Sequence, residues 1–357
     1  MNRITKGITC LSMILLLVFT VFSLVRIREL KRETTVSESL AEPDRELQGP
    51  VLKDGKVLLR LANNQGPEHP VSRACDYFAE LVRERTGGRI EILNYHSAQL
   101  GDEKEVITQV MYGGIDLARI STALLVEYEP ELILLQMPYL YDNAEHMWNV
   151  LDSEIGDRYL KKLRVAGLEG LCWYDAGARN FYTVEKKIQR AEDLKALKIR
   201  VQESTFLADI IRALEAEPVE VPYHKVGVVL KYGEVDGAEN NFSSYIGMNH
   251  HAYAPYVVVD EHVRIPEVIV MNQMILEQLS EKDQQIICEA ARESSLWQRE
   301  LWGKQEQENI EILKKAGVEI TQVENKQEFI ERVQIIYETY GKGHEMLFQQ
   351  IQELKEH

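Results

Sequence analysis

The chain has 357 residues, 45% apolar and 27% charged, with only 21 Gly and 10 Pro. That composition excludes a collagenous or low-complexity protein and provides for two domains or one large one. The formal charge of −16 is not a tail effect: residues 51–357 carry 34 basic against 51 acidic groups, or −17. A body this acidic repels phosphate backbones, which argues against nucleic acid as a partner but leaves room for a local basic pocket that binds a small anion.

Arg3 and Lys6 precede an uncharged apolar run from Ile8 to Val25, which reads as a secretory signal peptide or an uncleaved membrane anchor within residues 1–32. Both readings place the body outside the cytoplasm, in the periplasm or at the cell surface. Residues 33–54 read as a polar tether. The Lys56–Ala62 segment alternates as a strand, and the face Ala74, Tyr77, Phe78, Leu81, Val82 predicts a helix over 71–85 that Gly87-Gly88 stops. A strand at 89–95, a helix at 102–113 and a strand at 115–120 complete βαβ units of an α/β sheet. The same order returns as strands at 168–174, 198–201 and 219–222, with helices at 204–215 and 224–232. From Ser280-Glu-Lys-Asp283, a helix-capping start, an apolar period runs to about Ala316, interrupted only by Gly303. Such a helix is about 50 Å long, a strut packed across two domains. A last amphipathic helix is predicted over 326–355. No internal repeat is evident. Cys75, Cys172 and Cys288 lie far apart and outline no disulfide framework; Cys75 and Cys288 fall on apolar helix faces.

No dinucleotide or phosphate loop, nucleophile elbow or zinc-protease motif occurs, and the nine histidines do not fall at metal-ligand spacing. Instead, cations and amides stand at strand ends: Arg179 follows a strand, Arg200 sits inside the apolar strand Ile199-Arg-Val201, and Asn240-Asn241 follow the turn Gly233–Gly237. Ligands of open α/β sheets bind outside the carboxyl ends of strands, and an Arg fork matches a carboxylate. An Arg in such a strand could equally pair with a structural Asp or Glu.

Taken in order, His69-Pro70, Thr86-Gly-Gly-Arg89, Ser97-Ala-Gln-Leu-Gly-Asp-Glu103, Gly113-Gly-Ile-Asp116, Gly177-Ala-Arg179, Asp193–Val201 and Gly233–Asn241 resemble the extracytoplasmic solute-binding proteins of TRAP transporters. The likeness runs from about Leu58 to Ala316. It implies a two-domain, periplasmic-binding-protein-like (Venus flytrap) α/β fold with a long helix spanning both domains: domain I over 55–177 plus about 263–357, domain II over 178–262. It implies that Arg200 fixes a ligand carboxylate, with Arg179 and Asn240 as supporting cation and amide. Asn64, Glu103 and Ser121 fall where other members line the cleft, and His69, Arg119, Asn241 and His262 neighbour those positions.

Within the family, Tyr174-Asp175, Arg-Val-Gln202 and Glu261-His262 resemble members that bind hexuronates such as glucuronate or galacturonate. The resemblance implies capture of an organic acid by domain closure and delivery to membrane permease subunits, with no cofactor, no metal and no catalysis. Two other roles fit the same residues, a ligand sensor feeding a membrane receptor and an extracytoplasmic enzyme acting on sugar acids. One departure stands out. Where the family commonly places an aromatic residue, this chain reads His224-Lys-Val-Gly227, which implies a larger pocket at Gly227 or a different ligand.

Overall fold

The computed structural model describes residues 51–53 and 55–356, so the apolar run 8–25 and most of the tether lie outside the described residues. The last residues of that tether are not loop: Val51–Lys53 form strand β1, antiparallel to β2 (Lys56–Ala62). Among the described residues no helix is long and apolar enough to cross a membrane.

Two six-stranded sheets organise the chain. The first holds β1, β2, β3 (Ile90–Tyr95), β4 (Leu117–Ser121), β5 (Leu168–Tyr174) and a strand that arrives much later. The second holds β6 (Ala178–Thr183), β7 (Lys198–Val201), β8 (Glu217–Glu220), β9 (Gly237–Asn240) and β10 (Tyr256–Arg264). The late strand is β11 (Glu267–Asn272), which returns to the first sheet between β4 and β5. Finally β12 (Glu319–Gln322) adds to the second sheet beside β10. The tail from 263 on, assigned from sequence to the first domain, therefore contributes a strand to the other sheet.

The sheets have matching topology. β3-β2-β4-β11-β5 in one corresponds to β8-β7-β9-β6-β10 in the other, with parallel pairs first and antiparallel pairs after. Contrary to the expectation of no repeat, a short sequence echo marks the equivalence: Tyr112-Gly-Gly-Ile-Asp116 before β4 and Tyr232-Gly-Glu-Val-Asp236 before β9. Each Asp accepts from the backbone N–H of the neighbouring parallel strand, Asp116 from Arg60 at 2.6 Å and Asp236 from Lys198 at 2.7 Å. Both turns need a glycine at positive φ, Gly113 and Gly233. Only the glycine and the aspartate have a backbone role to preserve, so little else of the equivalence is written in the sequence.

Asp175–Gly177 and Ile265-Pro266 are short links between the sheets, and the Glu281–Lys315 helix, on the way from β11 to β12, is a third crossing that spans both lobes. It runs unbroken through Gly303, because one interior glycine costs only about 1 kcal/mol. Near its start Arg89 grips Asp283 at 2.7 Å. At its middle Ser294 meets Tyr174 at 2.8 Å and Gln298 brackets the first link, accepting from Asp175 N and donating to Asp175 O. Toward its end Asn309 donates to Ser243 at 2.9 Å. The predicted C-terminal helix is three pieces, Lys326–Arg332, Gln334–Tyr340 and Glu345–Glu353. The chain bends at Val333 and again at Gly341–Gly343, so that Tyr337 can reach Pro138 O and Tyr340 can reach Asp209. Cys75, Cys172 and Cys288 are free thiols, the first two fully buried.

Candidate functional site

A cavity of about 570 Å³ opens between the lobes at the carboxyl ends of the parallel strands, lined by Asn64, His69, Glu103 and Arg200 among the residues singled out from sequence. Strand alternation explains Arg200. Ile199 and Val201 point into the hydrophobic core, and the residue between them faces the other way. Its guanidinium is fully buried, with Nε and Nη2 donating to Val221 O at 2.9 and 2.6 Å and Nη1 bonded to nothing in the protein. No carboxylate pairs with it, so the alternative of a structural ion pair does not apply. Burial lowers its pKa to about 10, partly offset by Tyr182 and Glu239, and it remains a cation at neutral pH.

The other two arginines are engaged. Arg179 closes its fork on Glu239 (Nη2 to Oε1, 2.7 Å, and Nε to Oε2) and donates from Nη1 to Asn240 Oδ1 at 3.0 Å. It lies behind the cavity wall, not in it. Burial opposes the Glu239 charge, but Arg179 and then His262 hold this carboxyl down at about 2. Arg119 sits beneath Asn64 and Glu103, bonded to Asn63 Oδ1 at 3.0 Å, Glu267 at 2.7 Å and Glu103 at 3.3 Å, and also to Asn64. Two carboxylates thus share one buried guanidinium. Burial raises Glu267 to about 7 against the pull of Arg119, and the nearby Glu103 adds to the rise.

The remaining candidates are placed as follows. His69 caps the Pro70–Arg85 helix through Nδ1, and Nε2 is buried without a partner; burial and then Arg119 lower its pKa to about 3, so it is a neutral ring. Asn64 donates to Glu103 at 2.7 Å, and Glu103 also accepts from Ser121 N at 2.6 Å. Asn241 is not a cavity residue: it caps the Phe242–Gly247 helix by accepting from Ser244 N. His262 stacks on Phe181 at 4.3 Å beside the second link, 2.9 Å from Asp260 and 3.5 Å from Glu239. A bulge in β10 turns it inward; Asn180 Oδ1 accepts from both Asp260 N and Glu261 N there.

Burial opposes protonation of His262, but Asp260 and then Glu239 outweigh it and raise the pKa to about 9. A folded value above the unfolded 6.5 gives stability that is complete below pH 6.5 and is lost as pH rises through 9. His262→Gln should therefore flatten the decline in melting temperature between pH 6.5 and 9, a span worth roughly 3 kcal/mol. The Glu267 contribution, lost between about 4.5 and 7, should remain. Melting curves of both proteins across pH 5–9 check this; parallel profiles would refute it.

Contacts join the lobes over the cavity, and of the residues that make them sequence reasoning singled out Ser121 but missed Tyr223 and Gln65. Tyr223 donates to Gln65 Oε1 at 2.9 Å, His224 meets Asp102 at 2.8 Å, and Ser121 reaches Gln202 Oε1 at 3.5 Å. Tyr223 also corrects the reading of Gly227, which does not line the cavity. A Cβ there would meet only His250 and Met248 at ordinary contact distance, whereas the aromatic wall comes from Tyr223 four residues earlier. Its only sequence signal is an aromatic residue directly after Pro222. Among the described residues no cluster of His, Cys, Asp or Glu could hold a metal ion.

Comparison with known proteins agrees with this architecture. Residues 61–343 match the DctP family, bacterial extracellular solute-binding protein, family 7. A solute-binding protein of Chromohalobacter salexigens is 32% identical over 282 residues, covering 79% of this chain and 84% of its own. The crystal structure of a TRAP periplasmic solute-binding protein from Bradyrhizobium sp. btai1 b, in complex with α/β-D-galacturonate, is 36% identical. It superposes with a TM-score of 0.81 over 83% of this chain and 99% of its own. A counterpart from Roseobacter denitrificans with bound β-D-glucuronate is 31% identical, with a TM-score of 0.80 over 84% and 99%. With the strand order, the interlobe cavity and the long crossing helix, these matches establish that the chain belongs to the DctP family of TRAP-transporter extracellular solute-binding proteins.

Proposed function

We propose that this protein captures a hexuronate, D-glucuronate or D-galacturonate, by closing its two lobes around the ligand, and delivers it to the membrane permease subunits of its transporter without chemical turnover. The observation that carries this reading is the Nη1 of Arg200, a fully buried charged donor beside the cavity with no partner in the protein. A ligand carboxylate supplies the missing acceptor and charge, and bonds to a buried guanidinium are among the strong ones. Asn64, Glu103 and the His69 Nε2–H provide acceptors and donors for hydroxyls. Arg179, Asn240, Glu239 and His262 act from behind, fixing the wall. The two relatives described above, one holding galacturonate and the other glucuronate, support the ligand class.

Thermal unfolding with and without ligand tests it. At about 1,000 times Kd a ligand that binds only the folded state adds about 4 kcal/mol, or roughly 6 °C in a chain this size. Glucuronate or galacturonate should give such a rise and glucose or galactose none. Equal shifts from acid and neutral sugar, or no shift from either acid, would refute the reading.

A further inference from the structure

The charges around the cavity are lopsided. Arg179 is taken by Glu239, and Arg119 by Glu103 and Glu267, which leaves Arg200 as the one cavity-lining cation without a carboxylate partner among the described residues. Elsewhere the lining holds Glu68, which is exposed, and the half-buried Glu203, neither with an ion pair within 4 Å, and Asp102, whose partner His224 also lines the cavity. Lys104, a cation that feels Glu203, is already bonded to Glu127 at 2.7 Å and also feels Glu220. His69 is a neutral ring, and burial keeps the Tyr223 phenol protonated to about pH 12. The cavity thus offers one unpaired cation for a negative charge, while the carboxylates in its lining, Glu68, Asp102, Glu103 and Glu203, disfavour a second anionic group on the same ligand.

We propose that Glu68 and Glu203 make this cavity selective for ligands with a single carboxylate, so that sugar acids bind and the corresponding diacids are rejected. The inference rests on the hexuronate reading and narrows it to monoanions. It assigns Arg200 the attractive part of the discrimination and the two glutamates the repulsive part, since specificity is a difference of affinities and commonly needs an element that acts against the wrong ligand.

The matched pair is D-gluconate and D-glucarate, open-chain acids that differ only in a terminal CH₂OH against COO⁻, each measured by competition with glucuronate at pH 7.5. Glucarate should compete at least about 30-fold more weakly than gluconate, and the ratio should shrink as salt screens the mouth. In Glu68→Gln/Glu203→Gln glucarate should gain at least about tenfold relative to gluconate. Glucarate competing as well as gluconate in the natural protein, or failing to gain in the double variant, would overturn the proposal while leaving hexuronate binding intact. Absence of glucuronate binding would instead overturn the reading beneath it.

Discussion

Replacing Arg200 with Met should cut hexuronate affinity by at least about 100-fold, roughly 3 kcal/mol, and leave the ligand-free protein as stable as before or more so. The two halves of that expectation come from one geometry. Arg200 is a buried cation whose nearest bonds go to a single carbonyl, Val221 O, with no carboxylate in reach. Desolvating it costs folding energy that no ion pair returns, and a methionine of similar length removes that cost. Arg200→Lys should fall between the two, because an ammonium cannot hold Val221 O and a ligand carboxylate with one planar fork. Calorimetric titration together with melting of the ligand-free protein decides the matter. Affinity within threefold of the natural protein, or a melting temperature more than 10 °C lower, would remove Arg200 from the clamp.

Arg119→Met should do the reverse, destabilising the fold by about 3–5 kcal/mol, roughly 5–8 °C in melting temperature. Two buried carboxylates, Glu103 and Glu267, lose their common cation and are left facing one another. The loss should be smaller at pH 5 than at pH 8, because protonating one carboxyl relieves the repulsion, and burial already brings Glu267 to about 7. Adding Glu267→Gln should restore part of the stability, a coupling that a double-mutant cycle measures. A deficit that is constant with pH and unrelieved by the second change would mean that Arg119 supports the fold by packing alone.

The outcome at these two arginines shows where sequence is informative. Arg200 is legible because a charge between Ile199 and Val201 has no ordinary reason to be there. The fate of Arg179 and Arg119 is not, because their partners Glu239 and Glu267 lie 60 and 148 residues further along. The parallel strands were readable for the same reason: Lys56–Ala62 and Lys198–Val201 are short apolar runs, and both are observed at the expected bounds. Strands β6, β9 and β10 are not legible because Arg179, Asn180, Glu239, Asp260 and His262 interrupt any apolar alternation. Those polar groups are tolerated inside only because each finds another across the sheet. The site divides the same way. Asn64, His69, Glu103 and Arg200 belong to loops and strand ends that motifs mark, while Tyr223 and Gln65 acquire meaning only when two distant loops meet.

The exchange of strands between the sheets governs when this chain can fold. Strand β5 has no partner except β11, so a nascent chain that has reached Gly177 holds a first sheet with one member unpaired and a gap at its centre. That gap is filled only once Glu267–Asn272 has been made, and the second sheet is not complete until Glu319–Gln322 follows. Such long-range pairing is slow to form and cannot be finished lobe by lobe during synthesis. The same wiring means that neither lobe can be cut out as a contiguous fragment and expected to stand alone.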